Sequence, residues 1–214
     1  MKDSLKKLAK NKLSQPSVFL ALTLPSSLSI EIMRKTNQID LSKDEMKAIA
    51  DEVRHRNFCN FLVFGLGNDS IFWHRLNSGG KTVFLEESEW WLKKVQEKQS
   101  ALLAYIVNYD TNRTQWRDLL HSPEQLEIQN LPPEITQQNW NVILVDAPTG
   151  SSDSCPGRMK SIFLAYQLIA PGGSIFVHDC DREIEQTYCD QFLGKHQLLD
   201  SYCQVGKLRH YKFK

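Results

Sequence analysis

The chain has 214 residues, 41% of them hydrophobic and 24% charged, with a formal net charge of +1. That is enough chain for one domain with a sizeable core, and so little net charge offers no field that would draw nucleic acid or an anionic membrane. The five cysteines, Cys59, Cys155, Cys180, Cys189 and Cys203, contain no Cys-x-x-Cys pair, which argues against a structural zinc site and a complete disulfide framework and predicts reduced thiols in a cytoplasmic protein.

Lys2, Lys6, Lys7, Lys10 and Lys12 form a basic lead before an apolar run, Val18 to Leu24. The run is far shorter than the ~20 residues a membrane-spanning helix needs. The reading is an N-terminal extension over residues 1–40, partly mobile, whose apolar patch docks on a domain over 41–214, with no membrane span. Pro25 and a serine-rich turn lead into a predicted helix over Ser29–Asn37. Ser42 followed three positions on by Glu45 has the form of a capping box, and the helix it opens should end near His55.

Strand and helix patterns then alternate. Phe61–Phe64 reads as a buried strand, Asp69–Leu76 as a short helix, Thr82–Leu85 as a strand and Glu87–Glu97 as a helix. Leu102–Val107 is a third strand and Asn112–Leu120 a helix, followed by an irregular stretch from Pro123 to Gln138. Val142–Val145 is a clear apolar strand. Gly157–Ile169 is helical, and Pro171-Gly172-Gly173 should stop it. Ile175–Val177 is a strand, Asp181–Leu193 a helix, and Gln197–Cys203 with Lys207–Phe213 form a hairpin around Gly206.

Alternating β and α elements imply an α/β fold with a mostly parallel sheet and helices on both faces. In such sheets ligands bind beyond the carboxyl ends of the strands. Gly65, Glu86, Asp110, Asp146 and Asp179 all follow predicted strands, so the topology carries them to one edge. Gly65 and Gly67 can let the backbone approach a ligand. Glu86 follows Gly65 by 21 positions, near the spacing at which an acid reaches the ribose of a nucleotide-type cofactor. The competing structural role for each acid is a helix cap. The third glycine of the dinucleotide pattern is replaced by Ser70, which opposes a nicotinamide-dependent oxidoreductase.

The segments NFLVFGLGNDS, GGKTVFLEE, WNVILVDAPTG, PGRM, FVHDCDR and GKLRHYKF occur in this order from Asn60 onward. Together they resemble the signature blocks of the plant polysaccharide-biosynthesis methyltransferases, which include the glucuronoxylan 4-O-methyltransferases. The resemblance implies a class I S-adenosylmethionine-dependent methyltransferase (Rossmann-like) fold, a seven-stranded sheet with a C-terminal antiparallel hairpin. It also implies methyl transfer from S-adenosylmethionine to a hydroxyl, the 4-O position, of glucuronic acid on a glycan. Asn68 stands where the family usually has His, and the plant members usually carry a membrane anchor.

On that resemblance, Gly65, Gly67, Asp69, Glu86, Asp110 and Asp146 are the cofactor-binding candidates. Glu86 would take the ribose hydroxyls and Asp110 the neighbourhood of the adenine. Asp69 either meets the amino group or caps its helix. Asp146, Asp179 and Asp181 could hold a divalent cation (Mg, Mn or Co) through oxygen ligands, which would ease deprotonation of the acceptor. Without a metal, the same acids or His178 could serve as general base; a buried structural histidine is the alternative. Arg158 and Arg209 are candidates for gripping a carboxylate on a saccharide or small-molecule acceptor, against an alternative surface role. Trp90, Trp91, Trp116 and Trp140 could include a sugar platform or belong to the core. A catechol-like acceptor and a non-catalytic glycan-binding member of the same fold are the competing functional readings.

Overall fold

The structure, a computed structural model, describes residues 16–23, 27–194 and 199–214. The expectations for Lys2 to Lys12, Leu24, Pro25 and Gln197 lie outside the described residues. Two helices, α1 (Pro16–Thr23) and α2 (Ser27–Asn37), precede α3 (Lys43–Arg56), β1 (Asn60–Phe64) and α4 (Ser70–Leu76). Next come β2 (Lys81–Glu86), α5 (Glu89–Lys98) and β3 (Leu103–Ile106). A 3-10 turn (Arg113–Gln115), α6 (Trp116–Leu119), a second 3-10 turn (Pro123–Leu126) and α7 (Pro133–Thr136) lead to β4 (Trp140–Val145). The chain then runs through α8 (Met159–Leu168), β5 (Ile169–Val177), α9 (Glu183–Cys189), a π-helical turn over 190–194, β6 (Leu199–Val205) and β7 (Leu208–Phe213).

The strands form a seven-stranded sheet in the order β3-β2-β1-β4-β5-β7-β6. β1 to β5 pair in parallel, and β7 runs antiparallel to both β5 and β6. The order reverses between β1 and β4, which opens a crevice at their carboxyl ends. Because side chains alternate across a strand, Phe61 and Val63 enter one core with Phe84, Val142, Leu144 and Phe176. Leu62 and Phe64 enter the other with Val83, Leu85, Ile143, Val145, Ile175 and Val177. Both faces of β1 and β4 are covered, and their sequences are accordingly unbroken apolar runs.

Residues 16–23 and 27–37, read from sequence as part of an extension, place Val18, Ala21, Ile30 and Met33 in the same core as Phe61 and Phe84. The docking of the apolar patch is therefore seen in Val18 and Ala21. Among the described residues no helix is long and apolar enough to cross a membrane. β5 is longer than expected. It starts at Ile169, which pairs with Trp140, and the register shifts between Trp140 and Val142, so Pro171-Gly172-Gly173 lies inside the strand as an irregularity and not after a helix. The segment expected as one helix over 112–120 divides into a 3-10 turn and a short α-helix. Trp140 is core: it is fully buried, and its Nε1 donates to the Ile135 carbonyl at 3.0 Å.

The capping box forms as the sequence predicts. The Glu45 N–H donates to Ser42 Oγ at 3.3 Å, and the Ser42 N–H donates to Glu45 Oε2 at 2.7 Å. The same carboxylate accepts the Lys207 N–H at 2.7 Å through Oε1, in the turn between β6 and β7. Gly206 in that turn has φ 58°, and a Cβ there would lie 2.8 Å from Glu45 Oε1. Only glycine meets both the left-handed conformation and the close approach. Ser42→Ala removes one leg of the box, and it is expected to cost about 1 kcal/mol of stability, read from the shift in a urea unfolding midpoint at constant slope. An unchanged midpoint would mean that the tertiary packing of α3 alone sets its start.

Candidate active site

One cavity of about 910 Å³ lies at the carboxyl ends of the parallel strands. Its β1–β2 end is built by Gly65, Leu66, Gly67, Glu86 and Trp91, and its β4–β5 end by Asp146, Arg158, His178 and Asp179. Gln38 to Ser42 and Glu45, ahead of and within α3, close a third side. That volume is ample for a nucleoside-sized ligand together with part of a second molecule.

At the β1–β2 end the backbone turns sharply after Phe64. Gly65 has φ 113°, and a Cβ there would approach Ala147 Cβ to 3.0 Å, so strand tips β1 and β4 meet only through a glycine. Glu86 is buried at the tip of β2. One of its oxygens accepts the Leu66 N–H and the other the Ser88 N–H. Burial pushes its pKa up, and those two N–H donors partly offset this. Asp69 accepts from Trp73 Nε1 at 2.7 Å and makes no side-chain cap to α4, so its carboxylate is not the helix cap that sequence allowed. Burial, followed by the charge of Asp146, raises the Asp69 pKa to about 6. Glu87 accepts the Thr149 N–H at 3.0 Å, joining the tip of β2 to the loop after β4.

At the β4–β5 end the site is a set of charges sharing hydrogen bonds. Arg158 is 5% exposed. It donates from Nη1 to the His178 carbonyl at 2.7 Å and from Nη2 to the Asp146 carbonyl at 2.8 Å. Nη2 also reaches the carboxylates of Asp146 at 3.1 Å and Asp179 at 2.8 Å. His178 Nδ1 lies 2.9 Å from Asp146 Oδ1, and Nε2 lies 3.7 Å from Glu45 Oε2. Burial disfavours the Asp146 carboxylate, but the His178 hydrogen bond and the Arg158 charge outweigh it and lower its pKa. Burial likewise opposes a charged His178, yet the Asp146 bond and the charges of Asp146 and Asp179 raise its pKa above the usual value. With Nδ1–H donating to Asp146, a neutral His178 carries its lone pair on Nε2.

Of the residues singled out from sequence, Gly65, Gly67, Asp69, Glu86, Trp91, Asp146, Arg158, His178 and Asp179 line this one cavity. Asp110 and Asp181 do not. Asp110 forms an ion pair with Lys160 and lines a separate small cavity near Asn108 and Asn130. The Asp181 side chain turns out toward Lys207, 3.2 Å away, and it is half exposed. The group whose ligand atoms lie within 4.8 Å of one another is instead Asp146, His178 and Asp179. Arg209 is held by Asp190 at 2.7 Å, away from the cavity. Sequence reasoning missed Glu45, Arg182, Lys207 and the Gln38–Leu41 wall. Glu45 was visible only as a capping residue, and no local pattern distinguishes Arg182 from a surface charge.

The family model described as IRX15/IRX15L/GXM matches residues 44–125 and 118–211. Glucuronoxylan 4-O-methyltransferase 1 of Arabidopsis thaliana is 38% identical over 211 residues, covering 88% of this chain and 74% of that protein. Glucuronoxylan 4-O-methyltransferase 2 of the same plant is 36% identical over 211 residues, with 88% and 72% covered. A crystal structure of a putative caffeoyl-CoA O-methyltransferase from Staphylococcus aureus superimposes with a TM-score of 0.57 at 13% identity, covering 87% of this chain and 92% of that one. That likeness fixes the fold alone, which is the class I S-adenosylmethionine-dependent methyltransferase fold.

Asp69 gives a pH test of this electrostatic arrangement. Its folded pKa, about 6, lies above its ordinary value of 3.8. The stabilisation from holding that proton is complete below the ordinary value and is lost as pH rises through about 6. An asparagine at this position cannot ionise. Asp69→Asn should therefore gain stability relative to the parent between pH 4 and pH 8, by on the order of 1–3 kcal/mol, in urea titrations at the two pH values. A difference that does not change with pH would show that the carboxyl titrates normally.

Proposed function

The chain belongs to the IRX15/IRX15L/GXM family, and from that premise we propose that it transfers a methyl group from S-adenosylmethionine to the 4-hydroxyl of a glucuronic acid residue on a glycan. The observation that carries this reading is the 38% identity to Glucuronoxylan 4-O-methyltransferase 1 over 88% of the chain. The cavity supports it, because a single space runs from the glycine turn and Glu86 to the His178 imidazole.

S-adenosylmethionine supplies an electrophilic methyl on a sulfonium, and its thioether product departs without needing a proton. The protein's work is therefore to align the two molecules and to receive the proton of the acceptor hydroxyl. Gly65 and Gly67 bring the backbone close to the methionine portion. Glu86 already accepts the Leu66 and Ser88 N–H groups, and its remaining lone pairs suit ribose hydroxyls. Asp69, at the same wall, suits the amino group. His178 accepts the hydroxyl proton at Nε2, while Asp146 holds the ring and stabilises the imidazolium that forms.

Asp146, His178 and Asp179 also make a fitting donor set for a divalent cation. One imidazole nitrogen and two carboxylates suit Mn or Co better than Mg, which favours oxygen alone. Held there, such an ion would lower the pKa of a bound hydroxyl. Arg158 already binds both carboxylates, so an ion would share them with the guanidinium.

Glu86→Ala is expected to weaken S-adenosylmethionine binding by at least about tenfold in calorimetric titration of the folded protein. Labelled methyl transfer to glucuronic-acid-bearing xylo-oligosaccharides, with and without chelator, tests the rest. Turnover that survives chelation removes the cation from the mechanism. Methylation of a catechol in preference to any uronic acid would overturn the acceptor assignment.

A further inference from the structure

The methionine end of the cofactor carries an ammonium, and one carboxylate on the cavity wall has no cation of its own. Asp69 stands two residues after Gly67 and is partly exposed on that wall. The structural work at this helix start is done by its neighbour. Ser70 Oγ accepts the Gly67 N–H at 2.8 Å and closes the turn, while the Asp69 side chain makes no cap to α4. Among the described residues Asp69 enters no ion pair, and the side-chain donor it meets is Trp73 Nε1, 2.7 Å from Oδ2. A carboxylate removed from water in this way ordinarily has an opposite charge beside it.

Trp73 is fully buried. It lies one helical turn on from Asp69, so the two side chains are neighbours. Its ring packs edge-on against Phe61 of β1, with centroids 6.2 Å apart, and against Phe72, with centroids 4.8 Å apart. The indole has little freedom, and neither has the Asp69 oxygen that it holds. An indole N–H is a donor without charge. It therefore orients the carboxylate without cancelling it, as a lysine or arginine in its place would do. The other oxygen, Oδ1, has no partner on another described residue and is not closed off from solvent. A Cβ at Gly67 would stand 3.0 Å from Oδ1. The glycine thus leaves this oxygen its place where the backbone approaches a ligand.

Resting on the S-adenosylmethionine reading above, we propose that Trp73 is a positioning residue for the cofactor's ammonium. Its indole N–H holds one oxygen of Asp69 so that the other meets the amino group of the methionine portion, and the pair sets the preference of the cavity for ligands that carry this portion. An ammonium has three N–H donors and no acceptor, so it pairs with an oxygen whose lone pairs are unspent and whose charge is uncancelled. Asp69 Oδ1 meets both conditions. Asp146 and Asp179 already share the Arg158 guanidinium, and Glu86 accepts a backbone N–H at each oxygen. At Asp69 the ligand itself supplies the missing counter-charge.

The test is calorimetric titration with S-adenosylhomocysteine and with methylthioadenosine, which keeps the adenosine and the thioether and lacks the amino acid portion. Wild type should bind the first more tightly. Trp73→Phe keeps most of the packing and loses the N–H. It should weaken S-adenosylhomocysteine binding by about tenfold and leave methylthioadenosine unchanged. Asp69→Asn, which keeps an oxygen for the indole and loses the charge, should show the same selective loss. In the Asp69→Asn background Trp73→Phe should cost nothing further, because the indole acts through Asp69. If Trp73→Phe does not fold, replacement of Trp73 by its benzothiophene analogue, the same shape with sulfur in place of the N–H, makes the same comparison. Equal weakening of both ligands, undiminished S-adenosylhomocysteine affinity, or additive losses in the double variant overturns the positioning role and leaves the function standing. A folded wild type that binds neither ligand overturns the S-adenosylmethionine reading itself, and the assignment with it.

Discussion

Arg158 puts a full positive charge where 5% of the residue meets solvent, and such a charge is tolerable only when neutralised and hydrogen-bonded in place. The carboxylates of Asp146 and Asp179, at the tips of neighbouring strands, provide the neutralisation, and two backbone carbonyls complete the set. The dependence is mutual. Two carboxylates at adjacent strand tips repel one another unless a cation stands between them. The planar fork of arginine reaches both while also donating to the chain that carries them, which the single ammonium of lysine does less well. The guanidinium therefore pins the start of α8 to the ends of β4 and β5. Loss of either partner would leave a buried charge uncompensated.

The imidazole of His178 inherits its setting from this arrangement. The His178 hydrogen bond and the Arg158 charge together hold the Asp146 pKa down, and an ionised Asp146 in turn favours the proton on His178 Nδ1. On the other side of the ring stands Glu45, from a helix far away in sequence. Glu45 is a capping residue that has been given two further contacts: the Lys207 N–H and the approach of Gly206. A single carboxylate thus closes the start of α3, ties that start to the C-terminal hairpin and supplies one wall of the cavity. α3 is for this reason part of the site's construction.

Much of the fold could be read from the chain because parallel strands buried on both faces leave an unmistakable apolar run. Phe61–Phe64 and Val142–Val145 are such runs, and the residues immediately after them are the ones that face the cavity. Pattern fails where local chemistry and tertiary pairing disagree. Pro171-Gly172-Gly173 reads as a terminator, yet the pairing of Ile169 with Trp140 draws it into β5. The sequence also locates a strand tip without saying which way its next side chains point. Asp179 and Asp181 follow the same strand. Asp179, at φ 59°, turns its carboxylate in to Arg158, and Asp181 turns out to Lys207. A periodicity argument contains nothing that separates them. Asp110 fails for the same reason, since Lys160 holds it at a different cavity.

Two carboxyl groups of one cavity titrate in opposite directions, which shows how finely position controls charge in this fold. Asp69 and Asp146 both suffer from burial. Asp146 has a guanidinium and an imidazole as neighbours, and its pKa falls. Asp69 is pushed up by burial and then by the charge of Asp146, which its bond to the Trp73 indole N–H offsets only in part, and its pKa rises to about 6. Ionisation of Asp146 thus makes ionisation of Asp69 harder, so the negative charge of the cavity concentrates beside His178. Such a divergence between neighbouring carboxyls separates the acid and base roles available to a site. Here Asp69, whose pKa of about 6 still leaves it mostly ionised at neutral pH, keeps an anion on one wall, suited to a ligand that is cationic at sulfur and nitrogen. The other wall has an anchored anion beside a base, suited to receiving a proton.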